Sequence, residues 1–130
     1  MPHSSPTDAV RAFVAAMNRG DLDGALDGYA PGAAFVAEPG TILHDRIAIR
    51  EALGALIALK PTLATHRETV VECGDLALYH SRWTMAGHTA DGSEIRMEGH
   101  SADVLRRQAD GGWKIVVDNP WGAAMLDAPA

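Results

Sequence analysis

Four β-rich runs with only short turns between them fill the second half of the chain, and this succession constrains the fold more than any other feature. The turns are Gly74-Asp75, Ala90-Asp91-Gly92 and Ala109-Asp110-Gly111-Gly112, whose Gly and Asp residues suit the tight reversals of β-hairpins. The pattern therefore predicts three consecutive hairpins. The four expected strands are Leu63–Cys73, Leu76–Gly87, Ser93–Gln108 and Trp113–Asn119.

The first half of the chain has helical signals instead. Ser5-Pro6 with Asp8 is typical of a helix start, and the apolar residues that follow recur at helical spacing until Gly20. Asp21 and Asp45 can cap two more helices, which should end at Pro31-Gly32 and before Pro61. The predicted apolar stripes are Val10, Phe13, Val14 and Met17, then Leu22, Ala25, Leu26 and Tyr29, then Ile49, Ala52, Leu53, Leu56 and Ile57.

Helices followed by a long antiparallel meander indicate an α+β fold, because a single sheet must cover its apolar face with the helices. We expect a curved antiparallel sheet wrapped around three N-terminal helices, with a pocket between the two layers. A length of 130 residues suits one domain. Residues 1–130 are therefore predicted to form a single domain, in which only residues 127–130 fray.

Composition argues against several classes of function. The formal net charge is -6 and no block of Lys or Arg occurs, so a nucleic-acid partner is not expected. No apolar run approaches the roughly 20 residues that a bilayer span requires. The N-terminal residues also lack the pattern of a secretory signal, and we expect no membrane partner and a cytoplasmic location.

Cysteine and histidine usage gives no sign of a metal or a redox centre. The single Cys73 excludes an internal disulfide, and a small apolar residue at a strand end accounts for it. The six His residues show no spacing typical of metal ligands, and no phosphate-binding or dinucleotide-binding motif occurs. We therefore predict no metal and no cofactor.

Glu38 is the first candidate for a catalytic base. It ends the short strand Phe35-Val36-Ala37-Glu38 before the turn Pro39-Gly40, and the two-residue period of a strand places it on the same face as Val36. If Val36 faces the core, Glu38 does too, and a carboxylate in apolar surroundings is costly unless it is paired, neutralised or used. The alternative is a structural role near the turn, in which Glu38 caps the turn or forms an ion pair with an Arg such as Arg46 or Arg50.

Symmetric hairpins predict which strand residues lie opposite each other and which share a face. The expected neighbours are Trp83 with Gly99, Ser81 with Ser101, Tyr79 with Asp103, and Asp103 with Ile115. One face should form the core and the pocket; it comprises Tyr79, Ser81, Trp83, Met85, Met97, Ser101, Asp103, Leu105, Ile115, Val117 and Asn119.

The other face alternates charged and aliphatic residues, which favours packing against a second copy of the chain in a two-fold dimer. It comprises Leu78, His80, Arg82, Glu98, His100, Ala102, Val104, Val116 and Asp118. His100 would enter the pocket if a bulge shifted the register, and it is a secondary candidate site residue. Asp103 has its own alternative, a hydrogen-bonded strand residue that a bulge turns toward solvent.

Several motifs resemble the nuclear transport factor 2-like (NTF2-like) superfamily, and within it the ketosteroid isomerase and polyketide cyclase-like (SnoaL-like) branch. The resemblance spans nearly the whole chain. Its motifs are Phe13 to Gly24 with the run Asn-Arg-Gly-Asp-Leu-Asp-Gly, Val36-Ala37-Glu38-Pro39, Ala48-Ile49-Arg50-Glu51, and Gly111-Gly112-Trp113-Lys114-Ile115. The resemblance implies the cone-shaped fold of that superfamily and a small-molecule pocket.

The resemblance to ketosteroid isomerase also implies roles for individual residues. Glu38 stands where that enzyme has its aspartate base, and Asp103 resembles the carboxylic acid of its oxyanion hole, which an apolar site keeps neutral. Phe13 stands where the enzyme has a tyrosine donor, so one oxyanion hydrogen bond is missing unless Tyr79, Ser101 or Asn119 replaces it. Trp121 resembles an aromatic residue that lines the pocket.

The first hypothesis is therefore an isomerase or lyase-type enzyme that moves a proton beside the carbonyl of a small apolar substrate. Glu38 and Asp103 would be catalytic, without a cofactor, and steroid isomerisation itself is not expected. The alternatives are a non-catalytic dimeric domain that binds a ligand or a partner protein, and a cyclase or hydrolase of the same branch. The predicted substrate-binding residues are Phe13, Met17, Tyr79, Trp83, Met97, Ser101, Val117, Asn119 and Trp121.

Overall fold

The computed structural model of the chain describes residues 3–127, in which three helices and a short 3₁₀-helix accompany six strands. The helices are Pro6–Asn18 (α1), Leu22–Asp27 (α2) and Arg46–Ile57 (α3), and the 3₁₀-helix is Gly122–Asp127. The strands are Tyr29–Glu38 (β1), Thr41–Leu43 (β2), Thr62–Cys73 (β3), Leu76–His88 (β4), Glu94–Arg107 (β5) and Trp113–Asp118 (β6). Of the residues expected to fray, 128–130 lie outside the described range.

The helix starts follow their predicted caps. The Ser5 hydroxyl accepts a hydrogen bond from the Asp8 N–H at 3.1 Å, and the Asp45 carboxylate accepts one from the Ile47 N–H at 2.9 Å. The end of α2 differs from the prediction, because the helix stops before Gly28 and Tyr29 begins β1. Tyr29 has helical spacing relative to the apolar residues before it, but it belongs to a strand and not to α2.

All six strands form one sheet in the order β2-β1-β6-β5-β4-β3. The predicted α+β fold and its hairpins are confirmed; the sheet is mostly antiparallel, with β1 running parallel to β6. Their register shifts between Tyr29 and Ala34, where Pro31 lacks an N–H and Gly32 adopts a φ of 75°. An early strand thus joins the sheet beside the last one.

The helices cover one face of the sheet, where the largest fully buried side chains include those of Tyr29, Tyr79 and Leu53. The opposite face keeps apolar side chains in solvent, with Val71 62% and Leu78 41% exposed. Its role as a dimer interface stays a prediction, which sedimentation velocity would test. No helix within residues 3–127 has the length and apolar character needed to cross a membrane.

Candidate functional site

A cavity of about 450 Å³ lies between helices α1 and α3 and the covered face of the sheet. Its volume is in the range typical of small-molecule sites, and most of its lining is apolar. Nine of the predicted site residues border this one cavity: Phe13, Met17, Glu38, Tyr79, Trp83, Met97, Ser101, Asp103 and Trp121. The apolar stripe of α1 and the alternate residues of β4 and β5 therefore line the same cavity.

The pairing of β4 with β5 explains this convergence. Tyr79 lies opposite Asp103, Ser81 opposite Ser101, and Trp83 opposite Gly99, as the symmetric hairpin predicts. These registers are confirmed, and they place every second residue of both strands on the covered face.

Two tryptophans form one wall of the cavity. Their ring centroids are 5.6 Å apart at an interplanar angle of 69°, an edge-to-face contact. The Trp83 indole N–H donates to the Pro120 carbonyl at 2.7 Å, and that of Trp121 donates to the Ala37 carbonyl at 3.2 Å. Because both N–H groups are used by the backbone, the indoles offer a ligand chiefly their apolar surfaces.

The absence of a side chain at Gly99 is what lets Trp83 lie close to the sheet. A Cβ atom there would be 2.9 Å from the Trp83 ring and 3.0 Å from the Pro120 carbonyl oxygen, inside normal contact distance. The predicted pairing of a large ring with a glycine is thus confirmed. The backbone of Pro120 and the cavity both lie next to the Trp83 ring.

Glu38 borders the cavity but is exposed, so its carboxylate lies at the mouth and not in the core. The expectation that it shares a buried face with Val36 is wrong, because Val36 is buried outside the cavity lining, whereas Glu38 borders the cavity together with Phe35 and Ala37. A shift in the β1–β2 register between Val36 and Glu38 interrupts the alternation and turns Glu38 toward the opening.

Neither of the arginines considered as partners for Glu38 pairs with it. Arg50 contacts Asp23 at 2.7 Å, and Arg46 donates to the Leu26 carbonyl at 3.1 Å. Within residues 3–127, the Glu38 carboxylate accepts one side-chain hydrogen bond, from the Thr41 hydroxyl at 3.4 Å. The ion-pair alternative is therefore wrong, and the carboxylate is left able to contact a ligand.

Asp103 lies at the inner end of the cavity with 7% of its surface exposed, which excludes the alternative of a solvent-facing strand residue. Its Oδ1 atom accepts a hydrogen bond from the Asn119 N–H at 2.7 Å. The predicted proximity to Ile115 is wrong in register, because the hairpin pairs Leu105 with Ile115 and a bulge then separates Leu105 from Val104, which pairs with Val117. The hairpin is therefore not symmetric about its turn.

The same bulge brings Asp118 to the covered face, although strand alternation predicts it on the outer one. Asp118 is half-buried, borders the cavity and interacts with the Asp103 carboxyl. The Tyr29 hydroxyl donates a hydrogen bond to its Oδ2 atom from behind the cavity. Tyr29 in turn contacts Phe13 edge to face, with ring centroids 5.5 Å apart.

The two aspartates form an acid pair in which the pKa of each carboxyl is raised. Burial away from water raises the pKa of Asp103 well above the usual range of an aspartate, and the neighbouring Asp118 raises it further. Burial also raises the pKa of Asp118, whereas hydrogen bonds from Tyr29 and Asp103 act in the opposite direction because they stabilise its ionised form. The pair therefore holds a proton to a higher pH than a lone aspartate would, and the directions of these effects favour Asp103 as the group that carries it.

Three predicted site residues lie outside the cavity lining, which corrects their placement. Val117 pairs with Val104 across the β5–β6 bulge. Asn119 is a turn residue whose side-chain oxygen accepts the N–H groups of Trp121 and Gly122. His100 is exposed on the outer face, since no bulge disturbs the β4–β5 register.

Sequence reasoning missed Tyr29 and Asp118 because each was assigned to the wrong element or face. The apolar spacing before Tyr29 suggested a helix, and the alternation along β6 suggested an outward Asp118. The local sequence gave one sign that the alternation along β6 could fail. Val116 and Val117 are both apolar and directly precede Asp118, a pattern typical of a strand that is buried on both faces.

Replacing Asp103 with asparagine should flatten the pH dependence of stability. Between the unfolded pKa of about 3.9 and the raised folded pKa, native Asp103 keeps a proton that the unfolded chain has lost. The free energy of unfolding of the wild type should therefore fall as pH rises through this window. Asparagine mimics the neutral acid and can still accept from the Asn119 N–H, but it does not titrate, so urea unfolding across the window should show a smaller slope.

Asp27→Asn is the matched control, because the Asp27 side chain is exposed and its carboxylate forms one ion pair among the described residues, with Lys114 at 3.7 Å. It should keep the wild-type slope. An Asp103→Asn variant with an unchanged slope would show that Asp103 does not hold the retained proton.

Residues 10–117 of the chain match the SnoaL-like domain family. No curated protein matches the sequence. Among solved structures, an NTF2-like superfamily protein from Salmonella enterica serovar Typhimurium superposes with a TM-score of 0.77 at 17% identity. The match covers 95% of this chain and 94% of that one.

Two further structures carry provisional activity assignments. A provisionally assigned ketosteroid isomerase from Shewanella frigidimarina superposes with a TM-score of 0.73 at 24% identity, over 85% of this chain and 90% of that one. A provisionally assigned dehydratase of the NTF2-like family from Streptomyces avermitilis gives 0.72 at 21% identity, over 85% and 88%. At these identities the likeness is one of fold.

Proposed function

Since this chain belongs to the SnoaL-like domain family of the NTF2-like superfamily, as its motifs predicted, we propose that its cavity is a proton-transfer site for a small apolar carbonyl compound. Glu38 at the mouth abstracts a proton from the carbon beside the carbonyl. Asp103 at the inner end donates a hydrogen bond to the oxygen on which negative charge develops.

The observation that carries the proposal is the placement of a buried pair of carboxyl groups and an exposed, free carboxylate at two ends of one apolar cavity. Phe35 pairs with Asp118 and Glu38 follows Phe35 by three residues along β1, which separates Glu38 from the acid pair by about 10 Å at the usual rise of a strand. A flat substrate lying along the tryptophan wall could contact both ends. Proton abstraction and oxyanion stabilisation need such opposed groups.

A second hydrogen-bond donor has to replace the one that Phe13 lacks. The Tyr79 hydroxyl donates to Glu68 at 2.6 Å, and the Asn119 side chain is used by the turn that follows β6. Ser101 is the remaining candidate of the three, since it borders the cavity beside Asp103. We assign the second donor to its hydroxyl.

The charges of the lining restrict the substrate. Glu38, Asp103 and Asp118 border the cavity, while the lining within residues 3–127 includes no Lys, Arg or His side chain. An anionic substrate would meet carboxyl groups at both ends without a compensating cation. The substrate class is therefore a carbonyl compound without carboxylate, phosphate or sulfate groups.

Deuterium exchange into simple ketones tests this function, and it does not require the natural substrate. Cyclic ketones such as 1-indanone, 2-tetralone and 3-cyclohexen-1-one are incubated with the protein in D₂O. Proton NMR then follows the loss of signal from the hydrogens on the carbon beside the carbonyl. We expect exchange above the buffer rate for at least one ketone. The indole N–H resonances of Trp83 and Trp121 report binding in the same sample.

Binding without exchange would contradict the proposal and support a non-catalytic ligand-binding domain. Absence of both binding and exchange would contradict the apolar carbonyl substrate class itself. Conversion of a ketone into a hydrated or cyclised product would instead favour the hydrolase or cyclase alternative.

A further inference from the structure

A row of hydroxyl groups lies on the covered face of the sheet beside the acid pair. Ser101 precedes Asp103 by two residues on β5, so both side chains project from the same face, and Ser81 lies directly opposite Ser101. The Ser81 and Ser101 hydroxyl oxygens are 2.7 Å apart. Tyr79, two residues before Ser81 on β4, lies opposite Asp103, and its hydroxyl contacts Glu68 on β3.

The row ends on a carboxylate that reaches solvent. The Tyr79 hydroxyl donates to the Glu68 Oε2 atom at 2.6 Å, while Arg11 holds Oε1 through its guanidinium group. The Glu68 side chain keeps 18% of its surface exposed, although Tyr79 is only 1% exposed. Glu68 lies outside the cavity lining and borders a groove on the protein surface.

We propose that Ser101, Ser81 and Tyr79 form a proton relay that connects Asp103 with Glu68. The inference rests on the proposed function, because a relay matters only if the acid pair gains and loses protons. It assigns Glu68 the role of the surface group through which the pair exchanges protons with water.

The transfer balances without any further reactant. When Asp103 loses its proton to Ser101, the Ser101 proton moves to Ser81, the Ser81 proton to Tyr79 and the Tyr79 proton to Glu68. Each hydroxyl forms one O–H bond and breaks one, so only the two carboxyl groups change their charge. Protonated Glu68 then releases the proton to water, and the reverse sequence restores Asp103.

The contacts along the row suit transfer in both directions. Either serine hydroxyl can donate to the other, because a hydroxyl group rotates and both donates and accepts hydrogen bonds. Ser101 and Asp103 are neighbours two residues apart on the same face of β5, as Ser81 and Tyr79 are on β4, so a rotated hydroxyl can approach the neighbouring side chain. The direct route through the cavity is lined mainly by apolar side chains, which offer a proton no such steps.

Carboxyl NMR of the full chain, labelled with ¹³C-aspartate, measures this exchange without any turnover. The Asp103 resonance is followed at the midpoint of its titration, where slow proton exchange broadens it. Ser101→Ala, Tyr79→Phe and Glu68→Gln each interrupt the relay at a different point. We expect each variant to slow the exchange about tenfold or more relative to the wild type.

Two control variants separate a relay from a general change in packing. Ser101→Thr keeps the hydroxyl and should keep the wild-type exchange rate. Thr65→Val removes a cavity hydroxyl outside the row and should also leave the rate unchanged. Amide spectra identify any variant that does not fold. Glu68→Gln is the variant most certain to fold, because its position is partly exposed and glutamine can still accept the hydrogen bond from Tyr79.

Wild-type exchange in folded Ser101→Ala, Tyr79→Phe and Glu68→Gln proteins would overturn the relay. Equal slowing in the Thr65→Val control would overturn it as well, because the effect would then not follow the row. Failure of the proposed function gives a different result, in which carboxyl exchange depends on the row while no ketone takes up deuterium.

Discussion

Glu38→Gln should lower deuterium uptake from the responsive ketone by about 10²–10⁴-fold, the usual contribution of a positioned general base. The substitution keeps the shape and length of the side chain and removes only its ability to accept the abstracted proton. Because the residue is exposed and its hydrogen bond with Thr41 is 3.4 Å long, the fold should be unaffected. Ketone binding, read from the indole N–H shifts, should persist.

The matched control is Glu51→Gln, an exposed glutamate on α3 that does not border the cavity. Its exchange rate should equal that of the wild type. If Glu38→Gln retained full exchange while ketone remained bound, Glu38 would not be the base, and the Asp118 carboxylate would be the remaining acceptor in the cavity lining.

Gly122→Ala should destabilise the protein by about 2–4 kcal/mol, because it combines backbone strain with steric overlap. Gly122 adopts a φ of 53°, a left-handed conformation that residues with a side chain rarely adopt. A Cβ atom there would also lie 2.4 Å from the His100 carbonyl oxygen, and backbone cannot rotate away as a side chain would. The residue directly follows Trp121, so the wall of the cavity should move as well.

Gly74→Ala measures the cost of backbone strain without the steric overlap. Gly74 has a similar φ of 59°, but a Cβ atom there would meet no heavy atom within 4 Å. Urea unfolding should show a loss of only about 1 kcal/mol for this variant, from the left-handed conformation alone. Equal losses in the two variants would contradict the steric argument and would mean that the chain after β6 shifts to accommodate the methyl group.

Much of the framework around the site follows from short-range signals. Ser5 and Asp45 cap their helices because a side-chain oxygen beside the first turn satisfies an N–H group that has no partner in the helix. The β4–β5 hairpin also follows locally, since the Asp-Gly turn places Trp83 against Gly99 and Tyr79 against Asp103. Most of the cavity lining could therefore be predicted.

The irregular places could not be predicted in the same way. A register shift near Glu38 and a bulge between Val104 and Leu105 each break the two-residue alternation, and every face assigned beyond such a break reverses. Asp118 moved from the outer face to the cavity for this reason. The predicted positions of Val117 and Asn119 in the cavity lining were wrong because both residues follow the irregular pairing of β5 with β6.

Element types, the central register and the family could all be read from the amino-acid order, because caps, turn residues and alternation act over a few neighbouring positions. The pairing of β1 with β6 could not, since parallel partners lie far apart in the chain and no turn links them. That pairing sets Tyr29 behind Asp118 and so completes the acid pair with Asp103. The chemistry of the site thus depends on long-range packing, whereas its apolar walls depend on local pattern.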